Sequence, residues 1–139
     1  MTRRLLESTQ LRSDEGIRSL AYQDSRGHWT VGIGHNLETP MPPAVIELLF
    51  QYDLLAAINA AILVTPTWAQ LTPRRQEVLV NMAFNLGQAG LARFTQMFQA
   101  LAQEDYAGAA REMLDSDWAR QVGARAERLA RIMTTGETG

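Results

Sequence analysis

Residues 14–36 read DEGIRSLAYQDSRGHWTVGIGHN. The stretch opens on two carboxylates, Asp14 and Glu15, and continues through Leu20–Ala21–Tyr22, a β-prone triplet. Asp24-Ser25-Arg26-Gly27 has turn composition, and His28 to Gly34 supplies a returning strand. An Asp-to-Gly turn between two β-prone runs predicts a hairpin, because Gly readily takes the positive φ that closes such a loop. This reading sets Glu15 at the end of a helix, Asp24 at the hairpin turn and Thr30 on the return. Folding back brings the three around one cleft. Two carboxylates and a hydroxyl there can supply a general acid, a general base and a group that positions water.

Working outward, residues 3–13 predict a short helix carrying Leu5, Leu6 and Leu11. Downstream, Glu38-Thr39-Pro40-Met41-Pro42-Pro43 is a breaker cluster. A helix then begins near Pro43, since proline is tolerated at the first helical position. Val45, Leu48, Leu49, Tyr52, Leu55, Ala56, Ile62 and Leu63 recur at helical spacing and predict one apolar face. To Val64 this is about 22 residues, roughly 33 Å at 1.5 Å per residue, enough to bridge two lobes. Thr65-Pro66 stops it, and Thr72-Pro73 opens the next helix as N-cap and first residue. Val78, Leu79, Met82, Ala83 and Leu86 give that helix an apolar face, and Gly87 reads as its terminator. Further helices are expected over 94–103, after an Asp105 cap, and over 124–133.

The fold class is therefore α+β and mostly helical, a small hairpin lobe joined by a long helix to a larger helical lobe. One domain-sized unit of 139 residues accommodates this, with a 46% hydrophobic fraction sufficient for a core. The boundaries fall at about 14–42 for the small lobe, 43–64 for the connecting helix and 65–134 for the helical lobe. The N-terminal helix is grouped with the larger lobe.

Composition excludes several functions. There is no cysteine, hence no disulfide framework and no thiolate metal site. His28 and His35 lack the HExxH spacing of a zinc site, so no metal is expected. All 13 basic residues are arginine and the net charge is −2, which argues against a nucleic-acid partner. The first residues, Met-Thr-Arg-Arg-Leu-Leu-Glu, lack the apolar core of a signal peptide. No uninterrupted apolar run approaches 18 residues, so no membrane span is expected.

The spacing from Glu15 to Asp24 to Thr30, followed by Gly-Ile-Gly-His, resembles the catalytic stretch of the T4-type phage lysozymes, or endolysins. Two more blocks extend the resemblance from about Leu5 onward. One holds Arg74-Arg75, Asn81-Met82-Ala83-Phe84-Asn85-Leu86-Gly87, Gly90 and Phe94-Thr95. The other holds Trp118, Arg125-Ala126-Glu127-Arg128 and Thr134-Thr135-Gly136. The resemblance implies cleavage of the bond between N-acetylmuramic acid and N-acetylglucosamine in the peptidoglycan glycan strand, without a cofactor. By the same resemblance Glu15 is the acid, with apolar surroundings to keep its proton. Asp24 holds or activates water or stabilises the transition state, and the Thr30 hydroxyl positions the water. An inverting reaction is favoured, with the carboxyls roughly 6.5–9.5 Å apart.

The resemblance further implies that Gly34, Asn36, Phe84 and Asn85 touch the sugars. It pairs His35 with Asp53, Arg125 with Glu15 and Arg128 with Asp14. Two other sugar-contact positions fall on Met97 and Glu112, which are not the polar residues expected there. The segment between Gly-Ile-Gly-His and the long helix is shorter than is common in the family. The protein is expected to be a monomer, made in the host bacterial cytoplasm and brought to the wall by another factor. A lytic transglycosylase and a non-catalytic wall-binding or phage-structural module are the competing readings.

Overall fold

The computed structural model describes residues 9–137. In chain order the elements are α1 (Thr9–Glu15), β1 (Arg18–Gln23), β2 (Trp29–Gly32), β3 (His35–Asn36), α2 (Pro43–Val64), a 3-10 turn (Trp68–Gln70), α3 (Pro73–Ala92), α4 (Thr95–Ala102), α5 (Tyr106–Leu114), α6 (Asp117–Val122) and α7 (Ala124–Thr135). The expected α+β class holds, mostly helical with one small antiparallel sheet. The N-terminal helix expected over 3–13 is described only from Thr9, and it runs on to Glu15. Residues 3–8 of that expectation lie outside the described residues.

The chain divides into two compact units, Met1–Glu47 and Leu48–Gly139. The division falls within α2, and the residues of α1 belong to the first unit. Grouping the N-terminal helix with the larger lobe concerns how the units meet and stays a proposal.

In the first unit the strands run β1-β2-β3, each antiparallel to its neighbour. The hairpin expected at Asp24–Gly27 is present. The Asp24 N–H donates to the His28 carbonyl at 2.9 Å and the Gly27 N–H to the Asp24 carbonyl at 3.0 Å. Gly27 has φ of +81°, the backbone state for which glycine was read there. Tyr22 pairs with Thr30 and Gln23 with Trp29, while the register slips between Arg18 and Tyr22. The chain then turns again through Gly32–Gly34, so that Thr30 faces Asn36 and Val31 faces His35. This second hairpin adds a strand, His35–Asn36, beyond the return expected over 28–34.

The second unit packs α3, α4, α5, α6 and α7 around a core that includes Leu79, Met82, Met97, Met113 and Met133, each fully buried. Burying each such side chain stabilises by about 1.5–3 kcal/mol, and the unbranched methionines fill irregular gaps between helices. Thr72 caps α3 as expected, its hydroxyl accepting from the Arg75 N–H at 3.3 Å. Asp105 caps α5 by accepting from the Gly108 N–H at 2.9 Å. At Gly87 the backbone of α3 leaves helical geometry (φ 74°, ψ 173°), and a further helical turn resumes beyond it. Gly87 is thus a kink within Pro73–Ala92 where a terminator was expected. Helix α6, with Ser116 accepting from the Ala119 N–H at 3.1 Å, was not foreseen.

Arg75 joins two ends of this unit. Its Nε donates to the Met133 carbonyl at 2.7 Å and a terminal N–H to the Thr134 carbonyl at 3.0 Å. These carbonyls lie in the last turn of α7, where backbone acceptors lack intrahelical partners and a cation opposes the helix dipole. The guanidinium also stacks 3.5 Å from the Tyr106 ring centroid. A Cβ on Gly136 would stand 3.0 Å from that guanidinium, so a side chain there would crowd the clamp.

Helix α2 occupies the predicted span, but its burial corrects the expected single apolar face. The buried residues are Ala57, Ala60 and Ala61, whereas Leu48, Leu55 and Leu63 are exposed. Apolar side chains surround this helix, so periodicity could not select the buried side. Its mean hydropathy reaches 1.5 over an 18-residue window, which makes it a candidate membrane span by length and composition only. The expectation of none looked for an uninterrupted run, and Glu47, Gln51, Asp53 and Asn59 interrupt this one. Its buried alanines belong to the core of the second unit.

Candidate active site

Glu15 is the last residue of α1, and the Gly16 N–H closes the helix on the Arg12 carbonyl at 2.9 Å. The Glu15 carboxylate lies directly on Gly34. A Cβ built at Gly34 would stand 2.7 Å from Glu15 Oε2 and 2.8 Å from its Cδ. A side chain at Gly34 would displace the Glu15 carboxyl from this position, and the Gly34 φ of +72° independently favours glycine. The Gly34 singled out in the sequence is therefore the floor under the Glu15 carboxyl. Glu15 itself is exposed, so the first unit does not supply the apolar surroundings expected for an acid. Beside it, Asp14 accepts from the Gln10 side-chain amide at 3.0 Å.

Asp24 occupies the hairpin tip. Its Oδ1 accepts from the Arg26 and His28 backbone N–H groups, each at 2.9 Å. The His28 N–H bond is the main cause that holds this carboxyl below its ordinary value of 3.8. Partial desolvation opposes it; the Arg26 N–H and the positive charges of His28 and Arg26 reinforce it. The anion is therefore the favoured state, as a water-activating base requires.

Thr30 is buried on β2, and its hydroxyl donates to the His28 carbonyl at 2.9 Å. That bond uses the hydroxyl proton and leaves oxygen lone pairs, so Thr30 can accept from a water but not donate to it. Asn36 faces Thr30 in the sheet. Its side-chain oxygen accepts from the Glu38 N–H at 2.8 Å, which leaves its NH₂ end as the donor for a ligand.

Sequence reading missed Glu38. Its Oε2 lies 2.8 Å from His28 Nδ1 and accepts from the Trp29 N–H at 3.0 Å. A signal existed: with Thr30 opposite Asn36, the same register carried outward sets His28 opposite Glu38. That inference needed the second hairpin.

In the second unit, Phe84 lies with its ring centroid 5.9 Å from that of Phe50, in a tilted contact. Phe84, Asn81, Trp68 and Arg125 line an apolar groove of about 580 Å³. The Asn81 side-chain oxygen is buried there without a hydrogen-bond partner. Asn85 and Arg128 are exposed. Met97 is fully buried, so it cannot touch a sugar as folded, and Glu112 is half-buried beside a smaller groove of about 320 Å³. The pairs His35–Asp53, Arg125–Glu15 and Arg128–Asp14 each span the two units and stay proposals. Among the described residues no three His, Asp or Glu side chains converge as metal ligands would.

Comparison with known proteins bears on this arrangement. The phage lysozyme family model matches residues 12–132. The chain is 32% identical to the pre-baseplate central spike protein Gp5 of Enterobacteria phage T4 over 91% of its own length, but it spans only 27% of that protein. It is 26% identical to the probable T4-type lysozyme 2 of Dictyostelium discoideum, covering 91% of this chain and 92% of the relative. An endolysin of Acyrthosiphon pisum secondary endosymbiont phage 1 is 30% identical over 80% of this chain and 77% of its own.

Proposed function

The chain belongs to the phage lysozyme family, and from that premise we propose that it is a lysozyme-type glycosidase. Its substrate on this reading is the peptidoglycan glycan strand, cut between N-acetylmuramic acid and N-acetylglucosamine. The observation that carries the reading is the pair of carboxyls in the first unit. Glu15 lies on the bare backbone of Gly34, and Asp24 is kept ionised by two amide N–H groups.

In the proposed reaction Glu15 gives its proton to the glycosidic oxygen, and the C1–O bond breaks with its electron pair going to that oxygen. A water held on the opposite face forms the new C1–O bond and gives its proton to Asp24. Thr30 Oγ1 accepts a hydrogen bond from the water's other O–H, which stays on the new C1 hydroxyl. Inversion at C1 follows from attack on the face opposite the leaving group. Glu15 ends ionised and Asp24 protonated, and exchange with solvent resets both. A bound sugar that displaces water from Glu15 would provide the apolar surroundings that the first unit lacks. Gly34, Asn36, Phe84 and Asn85 would line that cleft. The pairs His35–Asp53, Arg125–Glu15 and Arg128–Asp14 would tie its two sides together.

A second reading is favoured by the 32% identity to a spike protein, of which this chain corresponds to 27%. On that reading the fold serves a phage structural assembly. Mass spectrometry of sugars released from purified peptidoglycan separates the readings. A reducing muramic end supports the hydrolase. An anhydro end means transglycosylase chemistry, and no release favours the structural role.

A further inference from the structure

Glu38, His28 and Trp29 form a small hydrogen-bonded clasp at the open end of the β2–β3 hairpin. One carboxylate oxygen, Glu38 Oε2, meets both His28 Nδ1 at 2.8 Å and the Trp29 N–H at 3.0 Å. The Leu37 N–H donates to the Trp29 carbonyl at 2.8 Å, and the Glu38 N–H to the Asn36 side chain at 2.8 Å, so Glu38 is itself fixed from two sides. The groups it grips also carry the site. His28 N–H is one of the two donors to Asp24, and the His28 carbonyl accepts the Thr30 hydroxyl and the Asp24 N–H.

From this geometry we infer that Glu38 is a positioning residue for Asp24 and Thr30, acting through the backbone of His28 and Trp29. The inference rests on the glycosidase reading for its consequence in catalysis, but not for its geometry. The side chains involved are partly exposed, 47% for His28 and 46% for Glu38, so the clasp is a device for placement and adds little to stability. When His28 is protonated the contact is an ion pair. When His28 is neutral, an Nδ1–H tautomer keeps a weaker hydrogen bond.

The charged groups acting on Asp24 are His28 and Arg26, both favouring its anion, and Glu38 is not among them. By charge alone, removing the Glu38 carboxylate would favour the Asp24 anion and lower its titration further. A rise in the titration of Asp24 on altering Glu38 therefore reports lost placement of the His28 N–H and of the His28 charge. A residue that merely stabilised the sheet would not raise that titration.

The test is an NMR titration of the Asp24 carboxyl carbon in the full chain, in the wild type, Glu38→Ala and Glu38→Gln, with kcat and KM on peptidoglycan measured across the same pH range. Loosening the clasp in Glu38→Ala should raise the Asp24 midpoint toward the ordinary 3.8. It should move the acidic limb of kcat upward with it and leave KM nearly unchanged. The loss in kcat should be roughly tenfold, part of the roughly 10²–10⁴-fold that a positioned acid or base contributes. Glu38→Gln, whose amide oxygen can accept both bonds without the charge, should fall between the two. It keeps the test decisive if the alanine variant does not fold. An Asp24 midpoint that stays at the wild-type position in a folded variant, or moves lower, overturns the inference. If the wild type releases no sugar while the midpoint still follows Glu38, the clasp stands and the glycosidase reading falls.

Discussion

In the first unit Asp24 and Thr30 are held by hydrogen bonds on a thin sheet, whereas the second unit is held by a packed core. Asp24 rests on two amides, Thr30 on a carbonyl and Glu38 on a ring and an amide. Among the described residues of the first unit only Thr30 is buried. The second unit instead encloses Leu79, Met82, Met97, Met113 and Met133 completely. The contrast separates two tasks. Directional bonds set the geometry and charge of a few groups at small cost in size. Apolar burial provides the free energy that keeps the chain folded.

That division can be broken by substitutions that should affect one property and leave the other alone. The largest stability effect is expected in the core. Leu79→Ala removes a fully buried side chain and should cost about 2–5 kcal/mol in denaturant unfolding. It should leave the Asp24 titration in place; a shift of Asp24 would show that the units are not independent in this sense. Arg75→Met comes next. It strips the donors from the Met133 and Thr134 carbonyls and should lower stability by about 1.5–3 kcal/mol, the range for hydrogen bonds to a charged group. Thermal melts test it, and an unchanged melt would mean that the clamp carries no net stability.

The smallest stability effect should come from Asp24→Asn. The folded carboxyl lies below its ordinary 3.8, so the folded state favours the anion. Its share of stability is then present above the ordinary value and lost as pH falls through the folded value. Melts of wild type and Asp24→Asn should differ slightly near neutral pH and converge in strong acid. A gap that widens toward acid would contradict the sign.

Local chemistry made much of this legible in the sequence. Asp24–Gly27 announced its turn through a carboxylate that binds nearby amides and a glycine at positive φ. Thr72-Pro73 and Asp105 announced helix starts by capping chemistry, and all three are where the residues said. What escaped depended on partners distant in sequence or on ambiguous pattern. Glu38 required the register of a strand only two residues long. Arg75 carried no sign of its burial in the sequence, because nothing local shows that two carbonyls near residue 133 receive it. Helix α2 kept its length but not its face, since a segment apolar all round has no stripe to read. Gly34 was legible only as a sugar-contact position implied by the resemblance; that the Glu15 carboxyl lies on it needed coordinates.

The central claim is that Glu15, seated on Gly34, donates the proton that breaks the glycan strand. Glu15→Gln keeps the shape and removes the proton, so hydrolysis of purified peptidoglycan by this variant is the direct test, with melting checked alongside. The account predicts an unchanged melt and a rate lower by at least about 10²-fold, the lower end of what a general acid contributes. A folded variant that retains more than a tenth of the wild-type rate would contradict it.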